Sequence, residues 1–190
     1  SLHPSAWDAN FSQVADINAA DTINWDNGKG FSPIGNATTK FTGSYNGNGS
    51  VVKNLFIERP NQGLVAFIGY ADNASITNLG IKDANVSGDN AAGLAGYIDD
   101  GSVVSECYTS GTITGVQAGG LVSVNNYSSI SDCYSIANVY YTSTISCGGL
   151  VGGNGNSTIR NSFSAGLVIG PSGSTGGFLG GYYNSNTPGC

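Results

Sequence analysis

Charge is what this chain of 190 residues has least of. Only 9% of its residues are Asp, Glu, Lys or Arg, where about a quarter is usual. Six are basic and twelve acidic, for a formal net charge of -6. A nucleic-acid groove or an anionic-lipid surface needs clustered Lys and Arg, so neither partner is expected. Beyond Glu106 the only charged side chains are Asp132 and Arg160. Histidine occurs once, as His3, and methionine not at all. No apolar run reaches the ~18–20 residues that cross a bilayer, so no membrane insertion is expected. The start, Ser1-Leu2-His3-Pro4, lacks the basic and then apolar stretch of a signal peptide. Without an initiator Met the chain reads as a processed protein or an excised piece.

Glycine and small polar residues fill the space that charge leaves. Gly occurs 30 times, and 39% of the residues are hydrophobic. Disorder comes from high charge with few apolar residues, and this chain has the opposite bias. It is expected to fold as one domain with a sizeable core.

A repeat organises that core. Gly63-Leu64, Gly93-Leu94, Gly120-Leu121, Gly149-Leu150 and Gly177-Phe178 recur at steps of 30, 27, 29 and 28 residues. Between them lie Val52-Lys53-Asn54-Leu55, Ile76-Thr77-Asn78-Leu79, Val104-Ser105-Glu106-Cys107, Ile130-Ser131-Asp132-Cys133 and Ile159-Arg160-Asn161-Ser162. A fixed period marks a stacked architecture. The apolar runs are short, alternating and bounded by Asn, Gly and Ser, which reads as strand and turn. None is long enough for a helix, and the period is too short for propeller blades of roughly 40–50 residues. The expected fold is an all-β, right-handed parallel β-helix of about six coils with about 28 residues each. At about 4.8 Å per coil the rod is on the order of 30 Å long. Residues 1–50, which hold Trp7, Trp25, Phe11, Val14, Phe31 and Phe41, read as an N-terminal cap and first coil. Residues 51–190 read as the stacked coils.

Gly148-Gly149-Leu150-Val151-Gly152, Gly119-Gly120-Leu121-Val122 and Ile159-Arg160-Asn161-Ser162-Phe163-Ser164-Ala165-Gly166 resemble the GLUG-type repeat of bacterial and archaeal surface proteins. Upstream, Ala15-Asp16-Ile17-Asn18, Gly30-Phe31-Ser32-Pro33-Ile34-Gly35, the run 41–49 and the run 54–60 are similar to the segment that commonly precedes such repeats. The resemblance implies a module of adhesins, of filamentous-haemagglutinin-like exoproteins, or of regions flanking IgA-protease-type peptidases. It implies no catalytic residue, since no His-Glu-x-x-His is present.

Stacked coils place equivalent residues in columns. Leu64, Leu94, Leu121, Leu150 and Phe178 are expected in the core, as are Val52, Ile76, Val104, Ile130 and Ile159. The glycine before each Leu serves a special backbone conformation or a close approach. Asn54, Asn78 and Asn161 are expected to form a side-chain ladder. Glu106 and Asp132 share that column, either as solvated turn residues or as ligands of a structural cation such as calcium; no other cofactor is expected. Tyr108, Tyr134 and Phe163 make an aromatic column, read as packing before sugar binding.

Cys107 and Cys133 occupy one repeat position on adjacent coils, at a spacing inside the ~4.4–6.8 Å disulfide window. A bridge between them is expected, with buried free thiols as the alternative. Cys147 and Cys190 are the residual pair. An even count favours an oxidising compartment. Seven Asn-x-Ser/Thr sequons, at Asn10, Asn36, Asn48, Asn73, Asn85, Asn126 and Asn156, follow mostly from composition.

A β-helix has open ends that invite stacking. An apolar run near Phe178 is followed by no polar cap, so further chain or another subunit is expected on the C-terminal end. The function expected is a non-catalytic structural or adhesive module, extracellular or at the cell surface, whose partners include cell-surface glycans or proteins. One alternative is a polysaccharide lyase or hydrolase using Asp83, Asp89, Asp99 and Asp100. Another is an ice- or crystal-binding face of Thr109, Thr112, Thr114, Thr142 and Thr144.

Overall fold

The computed structural model describes residues 4–170 and 174–183. Within them the chain winds as a parallel β-solenoid of about five turns, about 28 residues to a turn. Three sheets run along the rod. The first face has six short strands, Asn10–Ser12, Ser44–Asn46, Ser75–Thr77, Val103–Ser105, Ser129–Ser131 and Thr158–Arg160. The second is built on the long strands Gly80–Ala92, Tyr108–Gly119 and Asn138–Gly148. The third has five, Ile68–Asp72, Ala95–Asp99, Val122–Asn126, Val151–Gly155 and Leu179–Tyr183. All the strand pairings among the described residues are parallel. No helix among them is long and apolar enough to cross a membrane.

The turn count is one fewer than the period suggests because residues 19–43 hold no strand. They contribute 3₁₀ turns at Ala20–Asn24 and Asp26–Gly28. They reach the third face only by single bridges from Ile34 to Ile68 and from Phe41 to Ala71. The flanking pieces do join the sheets: Asn10–Ser12 pairs with Ser44–Asn46, and Ile17–Asn18 with Val52–Lys53.

Each three-residue strand of the first face sends its middle side chain inward. Phe11, Tyr45, Ile76, Val104, Ile130 and Ile159 are in register along the rod, and the last four are fully buried. Val52 is buried too, but it belongs to the second face, where it pairs with Ile81. Its segment copies the motif of Ile76 one corner later in the coil. On the Gly-Leu corner Leu94, Leu121 and Leu150 are fully buried, and Phe178 packs half-buried against them. Leu64 is not in this column. It is half-exposed, with φ at +62°, and Phe67 takes its place: Ile68 pairs with Ala95 as Ala95 pairs with Val122, which sets the buried Phe67 level with Leu94 and Leu121. The step of 30 from Leu64 to Leu94 becomes 27 from Phe67, in line with the other coils.

The glycines of this corner serve close approach. A Cβ on Gly120 would lie 2.2 Å from the Gly149 carbonyl oxygen, and one on Gly149 would lie 2.0 Å from that of Gly177. Coils pass at Gly120 and Gly149 with no room for a side chain, and the column is glycine at Gly93, Gly120, Gly149 and Gly177, with the buried Ala66 at the level of Phe67.

Truncating a fully buried leucine removes its transfer energy and leaves a cavity. Leu121→Ala is expected to cost about 2–5 kcal/mol in denaturant unfolding, whereas Leu64→Ala is expected to cost about 1 kcal/mol or less.

Candidate functional site

The residues singled out from the repeat sit at the corners between faces. Asn78, Glu106, Asp132 and Asn161 have φ between +49° and +56°, the left-handed region that short polar side chains tolerate best. The corner is bonded by backbone: the N–H groups of Asn78, Glu106 and Asp132 donate to the carbonyls of Ser105, Ser131 and Arg160 at 3.1–3.2 Å. Side chains point outward, and the only bond between them here is Asn161 Nδ2 to Asp132 Oδ1 at 3.1 Å. Asn54 stands at a different corner, level with Asp83, since its N–H bonds the Lys82 carbonyl. Its amide meets Asn18 instead. The expected Asn54–Asn78–Asn161 ladder is therefore not a single column. Glu106 and Asp132 are exposed neighbours, and no group of three or more metal-ligating side chains occurs among the described residues.

Polar ladders lie elsewhere. Asn125 Nδ2 donates to Asn154 Oδ1 at 2.6 Å inside the rod, both residues fully buried. On the second face Asn90 Nδ2 donates to Gln117 Oε1, and Gln117 Nε2 to Ser146 Oγ, each at 3.1 Å. The aromatic column is a true stack: Tyr108 and Tyr134 lie 4.9 Å apart, Tyr134 and Phe163 5.2 Å, with planes within 5° of parallel. Gly80 lies against the Tyr108 ring, 2.5 Å from where a Cβ would be. Ring faces are thus covered by neighbouring coils except at Phe163, which is 55% exposed.

Cys107, Cys133 and Cys147 are buried free thiols, so the Cys107–Cys133 bridge is absent from this structure. Each sulfur's shortest contact is to a carbonyl of its own coil, Cys107 Sγ to Ser105 O at 3.1 Å and Cys133 Sγ to Ser131 O at 3.0 Å, and Cys133 Sγ also accepts the Cys107 N–H at 3.4 Å. Its hydrogen bond to Cys133 and its burial push the Cys107 thiol well above its ordinary value. Cys190 lies outside the described residues, and with it the Cys147–Cys190 pairing.

The acidic set does not converge. Asp83 and Asp89 lie on the Gly80–Ala92 strand, Asp99 ends a third-face strand, and Asp100 occupies the next corner at φ +49°. Nor do the described threonines form one face, and the Thr144 side chain lies outside the described residues. Thr109 is buried and bonds the Gly120 carbonyl, Thr112 and Thr114 face outward between Asn, Ser and Tyr neighbours, and Thr142 is exposed beyond an irregularity in the strand. Asn73 and Asn156 share a corner column with Asp100 and Tyr127, all at φ between +44° and +51°. In each of these two sequons Asn stands at the corner and its Ser75 or Thr158 lies on the first-face strand two residues on.

The densest functional grouping is one the period contains but the motifs did not flag. Tyr70 pairs with Tyr97 and Asp72 with Asp99, one coil apart on the third face. The tyrosine rings lie 4.9 Å apart. Lys40 Nζ sits 4.8 Å from the Tyr70 ring centre, a cation–π contact, and 2.7 Å from Asp72 Oδ2. The Tyr70 hydroxyl donates to Asp99 Oδ2 at 2.9 Å, and Asn126 Nδ2 donates to Asp99 Oδ1 at 2.9 Å. Tyr127 follows at the corner, 60% exposed at φ +44°, a strained position for a bulky residue. Burial, followed by the bond to Asp99, pushes the Tyr70 phenol up to about 12, and burial raises that of Tyr97. Its bond to Asp72 raises the Lys40 ammonium. Lys40 pairs with Asp72 Oδ2 and both Asp99 oxygens accept hydrogen bonds, while Asp72 Oδ1 is buried without a partner. The patch is a hydrogen-bonded cluster of phenol, carboxylate, amide and ammonium groups spanning three coils.

No protein-family model matches the chain, so the GLUG resemblance rests on its motif residues alone. Over 127 residues the chain is 36% identical to Halomucin of Haloquadratum walsbyi, a match covering 65% of this chain and 1% of the relative. The chain thus spans about a hundredth of that protein's length. The fold is similar, at a TM-score of 0.60, to the crystal structure of a candidate immunoglobulin A1 protease from Bacteroides ovatus. The two share 20% sequence identity, over 94% of this chain and 68% of the other. At that identity the likeness is one of fold.

Two outcomes follow for the titrating groups. A tyrosine ordinarily titrates at 10, and the folded protein holds the Tyr70 proton to about 12. The folded state therefore binds more protons over that interval, so stability is full below pH 10 and is lost as pH rises toward 12. Thermal melts are expected to show that fall, and Tyr70→Phe to reduce it. Alkylation of Cys107 and Cys133 is expected to be slow in native buffer and rapid once the chain is unfolded, read by peptide mass spectrometry.

Proposed function

We propose that the chain is a non-catalytic structural and adhesive module of a larger extracellular or cell-surface protein or assembly. The observation that carries this reading is the outer surface. Neutral amides, hydroxyls and phenols are held in register by ladders along the rod, and in the densest patch Lys40 is paired with Asp72 while Asp99 accepts from a phenol and an amide. Such a surface forms many hydrogen bonds to a neutral polar partner at low desolvation cost, and it lacks the converging acids that polysaccharide cleavage requires. The match to a short stretch of a very long relative supports a module within a larger protein.

The contact surface is the Lys40–Tyr70–Tyr97–Asp99 patch, and its partners are cell-surface glycans or proteins. Neighbouring segments or subunits stack on the C-terminal end, where Phe163, Leu167 and Ile169 are at least half exposed beside unpaired strand edges. Deleting the module from its host protein is expected to reduce cell adhesion while secretion continues, and the purified module is expected to bind on a glycan or host-protein array. Unchanged adhesion together with a blank array opposes the adhesive role. Cleavage of polygalacturonate or alginate that disappears in Asp99→Ala establishes an enzyme instead.

A further inference from the structure

A second candidate site lies at the N-terminal end of the rod, where the second face turns into the third. Glu58 pairs with Ser87, and Val65 with Ala91. This coil thus takes seven residues over a path the next coil covers in four. The three extra residues push the turn outward and leave a cavity of about 300 Å³, at the lower end of ligand-pocket sizes. Trp7, Pro33 and Leu64 give it apolar walls, and Asn36, Arg59 and Gln62 give it polar ones.

Several observations mark the cavity as built for a ligand. Leu64 stands at φ +62°, a conformation that costs a bulky residue of order 1–3 kcal/mol, and it lines the cavity instead of the core. The Arg59 side chain is 8% exposed. Its Nε donates to Phe31 O, and its Nη2 serves Gly30 O, Ser32 Oγ and Asp26 Oδ2, the last at 2.8 Å. Nη1, with two N–H groups, has no partner among the described residues. Asn36 Oδ1 accepts the Thr38 and Thr39 N–H groups at 2.9 and 2.8 Å, which leaves its Nδ2 as a donor. Trp7 is 5% exposed and held in place by its carbonyl, which accepts the Thr42 and Gly43 N–H groups.

The cavity therefore sets N–H donors against an indole and a proline ring. Asp26 already balances the Arg59 charge, so an added anion gains little, while a hydroxyl oxygen accepts from Nη1 without charge conflict. Donors on one side and flat apolar walls on the other match the hydroxyls and C–H faces of a sugar ring. We propose that this cavity binds a single neutral pyranose residue, such as the terminal sugar of a glycan, independently of the third-face patch.

The test uses the whole chain with methyl glycosides of glucose, galactose, mannose and N-acetylglucosamine, and with methyl glucuronide as the charged counterpart. Binding is read by saturation-transfer NMR and by tryptophan fluorescence. At least one neutral glycoside is expected to bind at millimolar concentration with a change in emission that Trp7→Phe abolishes. Leu64→Gly relieves the left-handed strain, so it is expected to keep the melting temperature while weakening binding about tenfold. Gln62→Leu, at an exposed side chain, is expected to weaken binding with no change in stability. Two outcomes overturn the proposal: no neutral glycoside binding to the folded wild-type chain, whether or not glucuronide binds, or Leu64→Gly and Gln62→Leu, both folded, binding like wild type. The third-face reading is judged separately, by Tyr97→Ala on the adhesion and array measurements.

Discussion

An amide that leaves one coil finds its acceptor in the next. That single arrangement, the parallel backbone ladder along the rod, constrains everything else in the molecule. It fixes the register, so a residue's column is set by its hydrogen bonds and not by the look of its neighbours in sequence. It demands coils of nearly equal path, which is why insertions appear as bulges or cavities. At the corners it calls for left-handed φ, which the chain meets with Asn and Asp and, where strain is tolerated, with Glu106, Tyr127 and Leu64. At the Gly-Leu corner it brings the next coil too close to Gly120 and Gly149 for either to carry a Cβ.

The architecture was legible because the period repeats with little drift. Parallel strands, the apolar columns of Ile76, Val104, Ile130 and Ile159, and the stacked rings of Tyr108 and Tyr134 all follow from like residues recurring at like intervals. Registers went astray where a motif recurs out of phase. Val52-Lys53-Asn54-Leu55 has the same pattern as Ile76-Thr77-Asn78-Leu79, yet it belongs to the second face. Gly63-Leu64 looks like Gly93-Leu94, yet the three extra residues before it shift the true partner to Phe67. The step of 30 among steps of 27 to 29 was the visible sign of that insertion.

The candidate sites were harder to read, for a related reason. Tyr70 and Tyr97, and Asp72 and Asp99, are each 27 residues apart and so share columns, but neither pair falls on a recurring motif. Lys40 reaches its place through a segment that obeys no period, and Arg59, itself on the ladder, finds its side-chain partners in that same segment. Cys107 and Cys133 were correctly placed side by side by the repeat, but the direction of each sulfur is a rotamer, which spacing cannot supply. Sequence periodicity locates a residue along and around the rod; which partners its side chain takes depends on the neighbouring column.

The paucity of charge has one more consequence. Ion pairs among the described residues number three, Lys40–Asp72, Lys53–Asp16 and Arg59–Asp26, and only the last has a side chain less than a tenth exposed. Dissolved salt acts on a fold chiefly by screening such pairs and the repulsion between like charges. A rod held by backbone bonds, apolar columns and amide ladders offers little for ions to screen, so the screening action of salt has little hold on its stability.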